Sequence, residues 1–320
     1  MKNTYAIGID IGGTNTVFGL VDHYGMIEYR GAISTKKFPV IEEYINELYN
    51  AIMPAIEQVG GIEHIRGIGI GAPNGNYYTG TIEYAPNLPW KDIVPIALLM
   101  SAKFQVPAAL TNDANAAAVG EMMYGAAKGM KDFIMITLGT GVGSGIVANG
   151  QLIYGHDGNA GELGHTIIIP NGRLHAGTGA RGSLETYCSA TAVRQTAIEM
   201  LEQNVEEDSL LRNYSKEEID SKLVYTCAVE GDKIANEVYR YTGEILGMAL
   251  ANFVMFSSPE AIILFGGLCK AGKMLLDPTK EHMEANLLPI FRNKVRLLFS
   301  ELKEADAAIL GASALVWELK

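Results

Sequence analysis

The chain has 320 residues, 48% hydrophobic and 19% charged, with a formal net charge of −11 at pH 7. That length suits two domains rather than one small core, and the acidic balance argues against a nucleic acid or an anionic membrane, whose phosphates are met by Lys and Arg. No apolar run is long enough to span a bilayer and no signal-like segment opens the chain. Cys188, Cys227 and Cys269 show no pairing pattern, so a reducing cytoplasm is the expected compartment.

The pattern alternates from the start. Tyr5 to Ile11 reads as an apolar strand, Val17 to Val21 as its returning partner, and Met26 to Ser34 as a third strand. Val40 to Val59 has the period of an amphipathic helix, and Ile65 to Ile70 is a strand that ends at Gly71-Ala72-Pro73. A loop rich in Asn, Tyr and Gly runs to Trp90, followed by a predicted helix over Asp92 to Phe104. Ala108 to Leu110 is a short strand and Ala114 to Tyr124 a strong helix. Phe133 to Ile136 and Ile146 to Ala148 are strands on either side of a glycine-rich turn.

From Thr191 the chain is mostly helical, with the acidic stretch Glu202 to Lys222 expected as a solvated helical hairpin. Tyr239 to Phe256 is a long helix, Ala261 to Phe265 a buried strand, and Gly311 to Leu319 a terminal helix. Strands alternating with helices define an α/β protein. The expected division is an N-terminal α/β domain over 1–120, onto which a C-terminal helix of about 308–320 packs, and a larger α/β domain with a helical insertion over 121–307.

Two turns carry chemistry. Asp10 closes the first strand and leads into Gly12-Gly13-Thr14-Asn15; Leu138 leads into Gly139-Thr140-Gly141-Val142-Gly143. Each is a strand, a glycine-rich turn with Thr, and a returning strand, which suggests two related halves. Backbone N–H groups in such turns can hold phosphate oxygens, and a carboxylate such as Asp10 can hold a hydrated magnesium ion. Neither turn matches a Walker or Rossmann fingerprint, because a strand follows rather than a helix. Gly266-Gly267, after the apolar strand, could admit a flat adenine ring or simply begin a helix.

Asp113 stands directly before the alanine-rich helix. Asn112 or Asp113 could cap that helix, or Asp113 could take a proton from an attacking hydroxyl. The helix N-terminus is expected to lower its pKa. Glu162, His165 and Glu185 could hydrogen-bond vicinal hydroxyls of a sugar, with Asn87 adding an amide. Each of these residues also has an ordinary structural reading, as a salt bridge, a core hydrogen bond or a turn.

Taken in order, Asp10-Ile11-Gly12-Gly13-Thr14, Ala85-Pro86-Asn87-Leu88-Pro89-Trp90, Asn112-Asp113-Ala114-Asn115-Ala116, the glycine run from Leu138 to Gly145, Gly161-Glu162-Leu163-Gly164-His165 and Gly266-Gly267 resemble the ROK family of repressors and sugar kinases. The resemblance implies an actin-like ATPase fold, two α/β domains with duplicated ribonuclease-H-like halves around a cleft. It also implies transfer of the γ-phosphoryl of Mg-ATP to the 6-hydroxyl of a hexose. Asp113 would then be the catalytic base, and Asn87, Asn112, Glu162, His165 and Glu185 the sugar ligands. Asp10, Gly12, Gly13, Thr14, Asn15, Gly139, Thr140, Gly141, Gly143, Gly266 and Gly267 would hold ATP, with Asp10 reaching magnesium through a water. A homodimer is implied by the family alone.

Two departures stand out. Members of the family usually carry Cys-x-Cys-Gly-x-x-Gly-Cys-x-Glu; here the run is Ala176-Gly177-Thr178-Gly179-Ala180-Arg181-Gly182-Ser183-Leu184-Glu185. A methyl and two hydroxyls do not replace thiolates in a structural zinc site, so no zinc is expected. Asn74 stands where many members have glycine, which leaves the sugar's identity open. Glucose is the first expectation, with N-acetylglucosamine or N-acetylmannosamine as the alternative. A sugar-sensing regulator lacking its DNA-binding domain and a bare ATPase are readings from other classes. The chain's acidity and the four residues before its first strand disfavour the regulator, and the sugar-binding set disfavours the bare ATPase.

Overall fold

The computed structural model describes residues 4–318, so the last residue of the expected terminal helix, Leu319, lies outside the described residues. The chain forms two compact units, one of residues 1–131, 145–161 and 300–320, the other of residues 132–144 and 162–299.

In the first unit β1 (Tyr5–Ile11), β2 (Asn15–Asp22) and β3 (Ile27–Ser34) form an antiparallel meander, followed by α1 (Ile41–Gln58) and β4 (Ile65–Gly71). Three very short strands, β5 (Gly75–Asn76), β6 (Thr81–Glu83) and β7 (Ile93–Val94), make a small sheet of their own. Then come α2 (Ile96–Phe104), β8 (Ala108–Thr111) and α3 (Asp113–Tyr124). The main sheet has the order β3-β2-β1-β4-β8, with β4 parallel to both β1 and β8. Ile7, Ile9, Ile68 and Ile70 are wholly buried at its centre, as continuous apolar runs require when both faces are covered.

A helix starts at Ile96 rather than Asp92 because Pro95 lies between. Proline pushes the residue before it into extended conformation, and Ile93–Val94 joins the small sheet instead.

After β9 (Phe133–Leu138) and β10 (Val142–Ala148) the chain runs through β11 (Gln151–Leu152), α4 (Glu185–Cys188), α5 (Ala190–Gln203), α6 (Ser221–Val229), α7 (Lys233–Ser257), β12 (Ala261–Phe265), α8 (Lys273–Asn286) and β13 (Arg296–Phe299). The second large sheet has the order β11-β10-β9-β12-β13, with β12 parallel to β9 and β13. Its order repeats that of the first, a hairpin pair beside parallel strands, and the two glycine turns fall at equivalent places.

The expected helical hairpin over Glu202 to Lys222 is not formed. Between the end of α5 at Gln203 and the start of α6 at Ser221 there is only a short 3₁₀ turn at Leu210–Asn213. Buried Leu211 and Ile219 pin it down. The Arg194 guanidinium donates to the carbonyls of Ile219 (2.9 Å) and Lys216 (2.7 Å), satisfying backbone acceptors that a helix would otherwise use.

The last helix, α9 (Glu304–Glu318), begins seven residues before Gly311 and lies on β1 and β4 within the first unit. Glycines admit it there. A Cβ on Gly8 would fall 2.2 Å from the carbonyl oxygen of Ile309, and one on Gly69 would fall 1.8 Å from that of Ala312.

Candidate active site

Strand register builds the first part of the site. Asp10 of β1 pairs with Gly71 of β4, and Gly71 pairs with Thr111 of β8. Three parallel strands therefore end level, and the ends of parallel strands are where ligands of open α/β sheets bind. Asp10 stands at the first end, and Asn112 and Asp113 follow the third. Gly71 is the spacer between the two acids: a Cβ there would lie 3.5 Å from Asp10 Oδ1 and 3.8 Å from Asp113 Cα.

Asn112 caps α3, its side-chain oxygen accepting the backbone N–H of Asn115 at 2.6 Å. Asp113 accepts the N–H of Ala114 at 2.9 Å and is also held by its own backbone N–H. Those bonds lower its pKa, but burial raises it more, and the net direction is up. The expectation that the helix N-terminus would lower it is thus reversed, because desolvation outweighs two backbone hydrogen bonds. Asp10 is pushed up to about 7, first by burial and then by the neighbouring charge of Asp113.

The turn after β1 is tight, with Gly12 N–H donating to the Asn15 carbonyl at 3.0 Å. Gly13 lets the Asn87 loop approach, since a Cβ would lie 2.6 Å from the Asn87 carbonyl oxygen. Thr14 and Asn15 are exposed beside it. Asp10, Gly12, Gly13, Asn87, Asn112 and Asp113 therefore belong to one unit, with Asn87 against the turn and the two acids at strand ends on either side of β4.

The second unit gathers the others. Glu185 Oε2 accepts the N–H of Val142 at 2.7 Å, and Gly141 is glycine for that contact, since a Cβ would lie 2.4 Å from the same oxygen. The Glu162–His165 segment crosses β10 closely. A Cβ on Gly164 would lie 2.0 Å from the Val142 carbonyl oxygen, and Leu163 N–H donates to Ser144 Oγ at 3.1 Å. His165 Nε2 lies 3.9 Å from Glu162 Oε2.

One residue escaped the sequence reading. His175 Nε2 is 2.6 Å from Glu185 Oε1, and its ring meets that of His165 edge-on at 5.3 Å. Contacts thus run from Glu162 through His165 and His175 to Glu185 and the glycine turn. A histidine directly before a run stripped of its cysteines was the available signal. A hollow of about 330 Å³ lies here, bordered by Thr140, His175, Glu185, Ser189 and Thr191.

The glycines of the second turn divide their work. Gly139 N–H donates to the Gly141 carbonyl (3.0 Å) and Gly143 N–H to the Thr137 hydroxyl (3.1 Å), so any amide given to a phosphate comes from the rest of the turn. A Cβ on Gly139 or on Gly267 would meet nothing within 4 Å, which leaves bare backbone open to a ligand. Gly266 has φ 107° and sits against the end of β9, a Cβ there falling 2.5 Å from the Leu138 carbonyl oxygen. The donor set needed for zinc is not present: Ala176 and Thr178 hold two of the cysteine places, and Ser183, the third, is wholly buried with its hydroxyl unpartnered.

Among the described residues no group of three His, Cys, Asp or Glu side chains is placed to hold a metal, and no helix is long and apolar enough to cross a membrane. An acidic hollow of about 860 Å³ beside Glu206, Asp208, Glu230 and Asp232 contains none of the site residues described above.

Two five-stranded sheets with the same strand order and paired glycine turns define the actin-like fold. The ROK family profile matches residues 6–318, and the chain belongs to the ROK family. It is 35% identical to a glucokinase of Halalkalibacterium halodurans over 99% of this chain and 96% of that one. It is 29% identical to a xylose repressor of Caldicellulosiruptor bescii over 97% of this chain and 77% of the repressor. Its structure resembles that of a ROK family glucokinase from Streptomyces griseus in complex with glucose and AMPPNP. That match has a TM-score of 0.80 and 32% identity, and covers 98% of this chain and 100% of that one. The family thus includes kinases and non-enzymatic regulators.

Proposed function

We propose that the protein is an ATP-dependent hexose kinase that phosphorylates the 6-hydroxyl of its sugar, with glucose the first candidate. The carrying observation is the state of Asp113. Asn112 makes the helix cap, so Asp113 is not needed for it, and its pKa is raised toward the range in which a carboxylate is an effective base. A second acid, Asp10, stands across Gly71 of the intervening strand β4. In this reading Asp113 accepts the proton of the sugar hydroxyl, and Asn87, Asn112, Glu162, His165 and Glu185 orient the sugar. Phosphoryl transfer through a loose transition state asks mainly for such positioning and charge stabilisation.

The open backbone at Gly139 and Gly267 suits a nucleotide substrate. Asp10 would hold magnesium through a water, and the ion, when bound, neutralises phosphate charge. Glucokinase relatives and the glucose-bound structure support glucose over an N-acetylated hexosamine.

A coupled ADP-release assay with Mg-ATP against glucose, N-acetylglucosamine, N-acetylmannosamine, mannose, fructose and allose tests the proposal. Glucose should stand out by orders of magnitude in kcat/KM. An N-acetylated sugar standing out would keep the kinase and change the substrate. The repressor relatives support a second reading, a sugar sensor. Sugar binding by calorimetry with no sugar-dependent ADP release would favour it.

A further inference from the structure

We infer that the loop of residues 172–184 is a zinc-independent form of the family's sugar loop, in which His175 is the positioning residue for Glu185. Its catalytic consequence rests on the proposed reading of Glu185 as a sugar ligand; its hydrogen-bonding pattern does not.

The loop closes on itself without a metal. Leu174 and Arg181 form an antiparallel bridge, His175 N–H donates to the Ala180 carbonyl (2.8 Å), and Gly179 N–H donates to the His175 carbonyl (2.8 Å). Its root is fixed by Arg173, whose guanidinium donates to the Thr186 carbonyl (3.0 Å), pairs with Glu199 and lies 4.7 Å over the Tyr187 ring. His175 joins this loop to the site. The backbone N–H of Thr178 points at His175 Nδ1 at 3.0 Å. A backbone N–H can only donate, so Nδ1 carries the lone pair and Nε2 the proton. Nε2–H must then donate to Glu185 Oε1.

Two donors therefore grip one carboxylate, His175 on Oε1 and Val142 on Oε2, and the side chains of His175 and Glu185 are only 16% and 21% exposed. A carboxylate has about four lone-pair directions. One is used on each oxygen, which leaves each oxygen a free acceptor for a ligand hydroxyl in a fixed plane. Where cysteines and zinc would shape the loop, an imidazole shapes it here and aims the carboxylate as well.

Two substitutions separate these jobs. In His175→Gln the amide nitrogen can occupy the place of Nε2 and donate to Glu185. In His175→Asn the amide oxygen can take the place of Nδ1 and accept from Thr178, but nothing reaches the carboxylate. The full-length protein and the variants His175→Gln, His175→Asn and Glu185→Gln would be assayed for sugar KM and kcat. Zinc would be measured by mass spectrometry, and the wild-type His175 ring by ¹⁵N NMR.

We expect zinc below about a tenth of an equivalent, as for a site without thiolates, and a His175 ring protonated at Nε2. His175→Asn should raise sugar KM about tenfold or more, the usual worth of a hydrogen bond to a charged group, with a much smaller change in kcat. His175→Gln should restore KM to within about threefold, since the charge-assisted bond is kept. Stoichiometric zinc or protonation at Nδ1 would overturn the proposal without any kinetics, even where a variant fails to fold. Unchanged KM in His175→Asn, with KM raised in Glu185→Gln, would remove the positioning role alone. Unchanged KM in Glu185→Gln would remove Glu185 as a ligand, and the positioning role with it.

Discussion

The side-chain oxygen of Asn112 accepts the backbone N–H of Asn115 at 2.6 Å, and this bond takes the capping of α3 away from Asp113. The stability cost of losing the cap should therefore fall on Asn112, which is also a proposed sugar ligand, and not on Asp113. Asn112→Ala should cost about 0.5–2 kcal/mol of stability, the usual worth of an N-cap. Asp113→Asn should leave the melting temperature close to wild type and lower kcat by about 10²–10⁴, the range for a lost general base. Sugar affinity, read by calorimetry, should change only a few-fold. Comparable losses of turnover and stability in Asp113→Asn would make that residue structural.

What the sequence could and could not reveal follows from range. Asp10, the glycine turns and the strand-to-helix step at Asn112-Asp113 are local patterns, so their elements were legible before any contact was known. The grip of His175 on Glu185 joins residues ten apart across a loop with no periodicity, and only the fold shows it. β5, β6, β7 and β13 have two to four residues each, too short for alternation to register. The segment after Gln203 looked helical by its polarity, yet two buried apolar side chains and one arginine decided otherwise. Gly141 and Gly164 read as phosphate-turn and motif glycines; their Cβ positions are closed by Glu185 and Val142.

Asp10 ties stability to pH. Its carboxyl is pushed up to about 7 in the folded chain, first by burial and then by Asp113, against about 3.9 when unfolded. The folded state therefore binds more protons between those values, and stability falls as pH rises through that window. The contribution is fully present below about pH 4, by the unfolded value, and lost above pH 7. Asp10→Asn has no charge to bury. Without magnesium, it should be more stable than wild type at pH 8 by about 1–3 kcal/mol, a discounted equivalent of such a shift. The gap should shrink toward pH 5. Urea melts at four pH values would check this, and a gap independent of pH would show that Asp10 ionises freely.

Gly69 carries the docking of α9. An added Cβ would stand 1.8 Å from the Ala312 carbonyl oxygen, backbone that cannot turn aside. Gly69→Ala should destabilise the protein by about 1–3 kcal/mol or more through overpacking. Gly267→Ala, whose Cβ would meet nothing within 4 Å, is the matched control and should leave folding unchanged. Its expected effect is on nucleotide KM instead, since the methyl would enter the space proposed for ATP. Thermal melts of both variants with ATP titrations distinguish these outcomes.

Asn74 departs from the glycine that the family resemblance implies at this place, and its geometry shows how asparagine is accommodated. Its φ is 53°, in the left-handed region that asparagine enters more readily than other non-glycine residues. Its side-chain amide donates to the Glu83 carbonyl at 2.9 Å and so is occupied in holding β6. Asn74→Gly should be close to neutral, because glycine accepts the same backbone and gives up only exposed hydrogen bonds, to the Glu83 and Tyr84 carbonyls. Asn74→Ala should cost about 1 kcal/mol, because alanine keeps the Cβ in the left-handed region but loses the polar side chain that makes asparagine tolerable there. Neither should alter the ranking of sugars in the ADP-release panel. A change in that ranking in Asn74→Gly would instead make this amide a specificity element that turns toward the sugar when it binds.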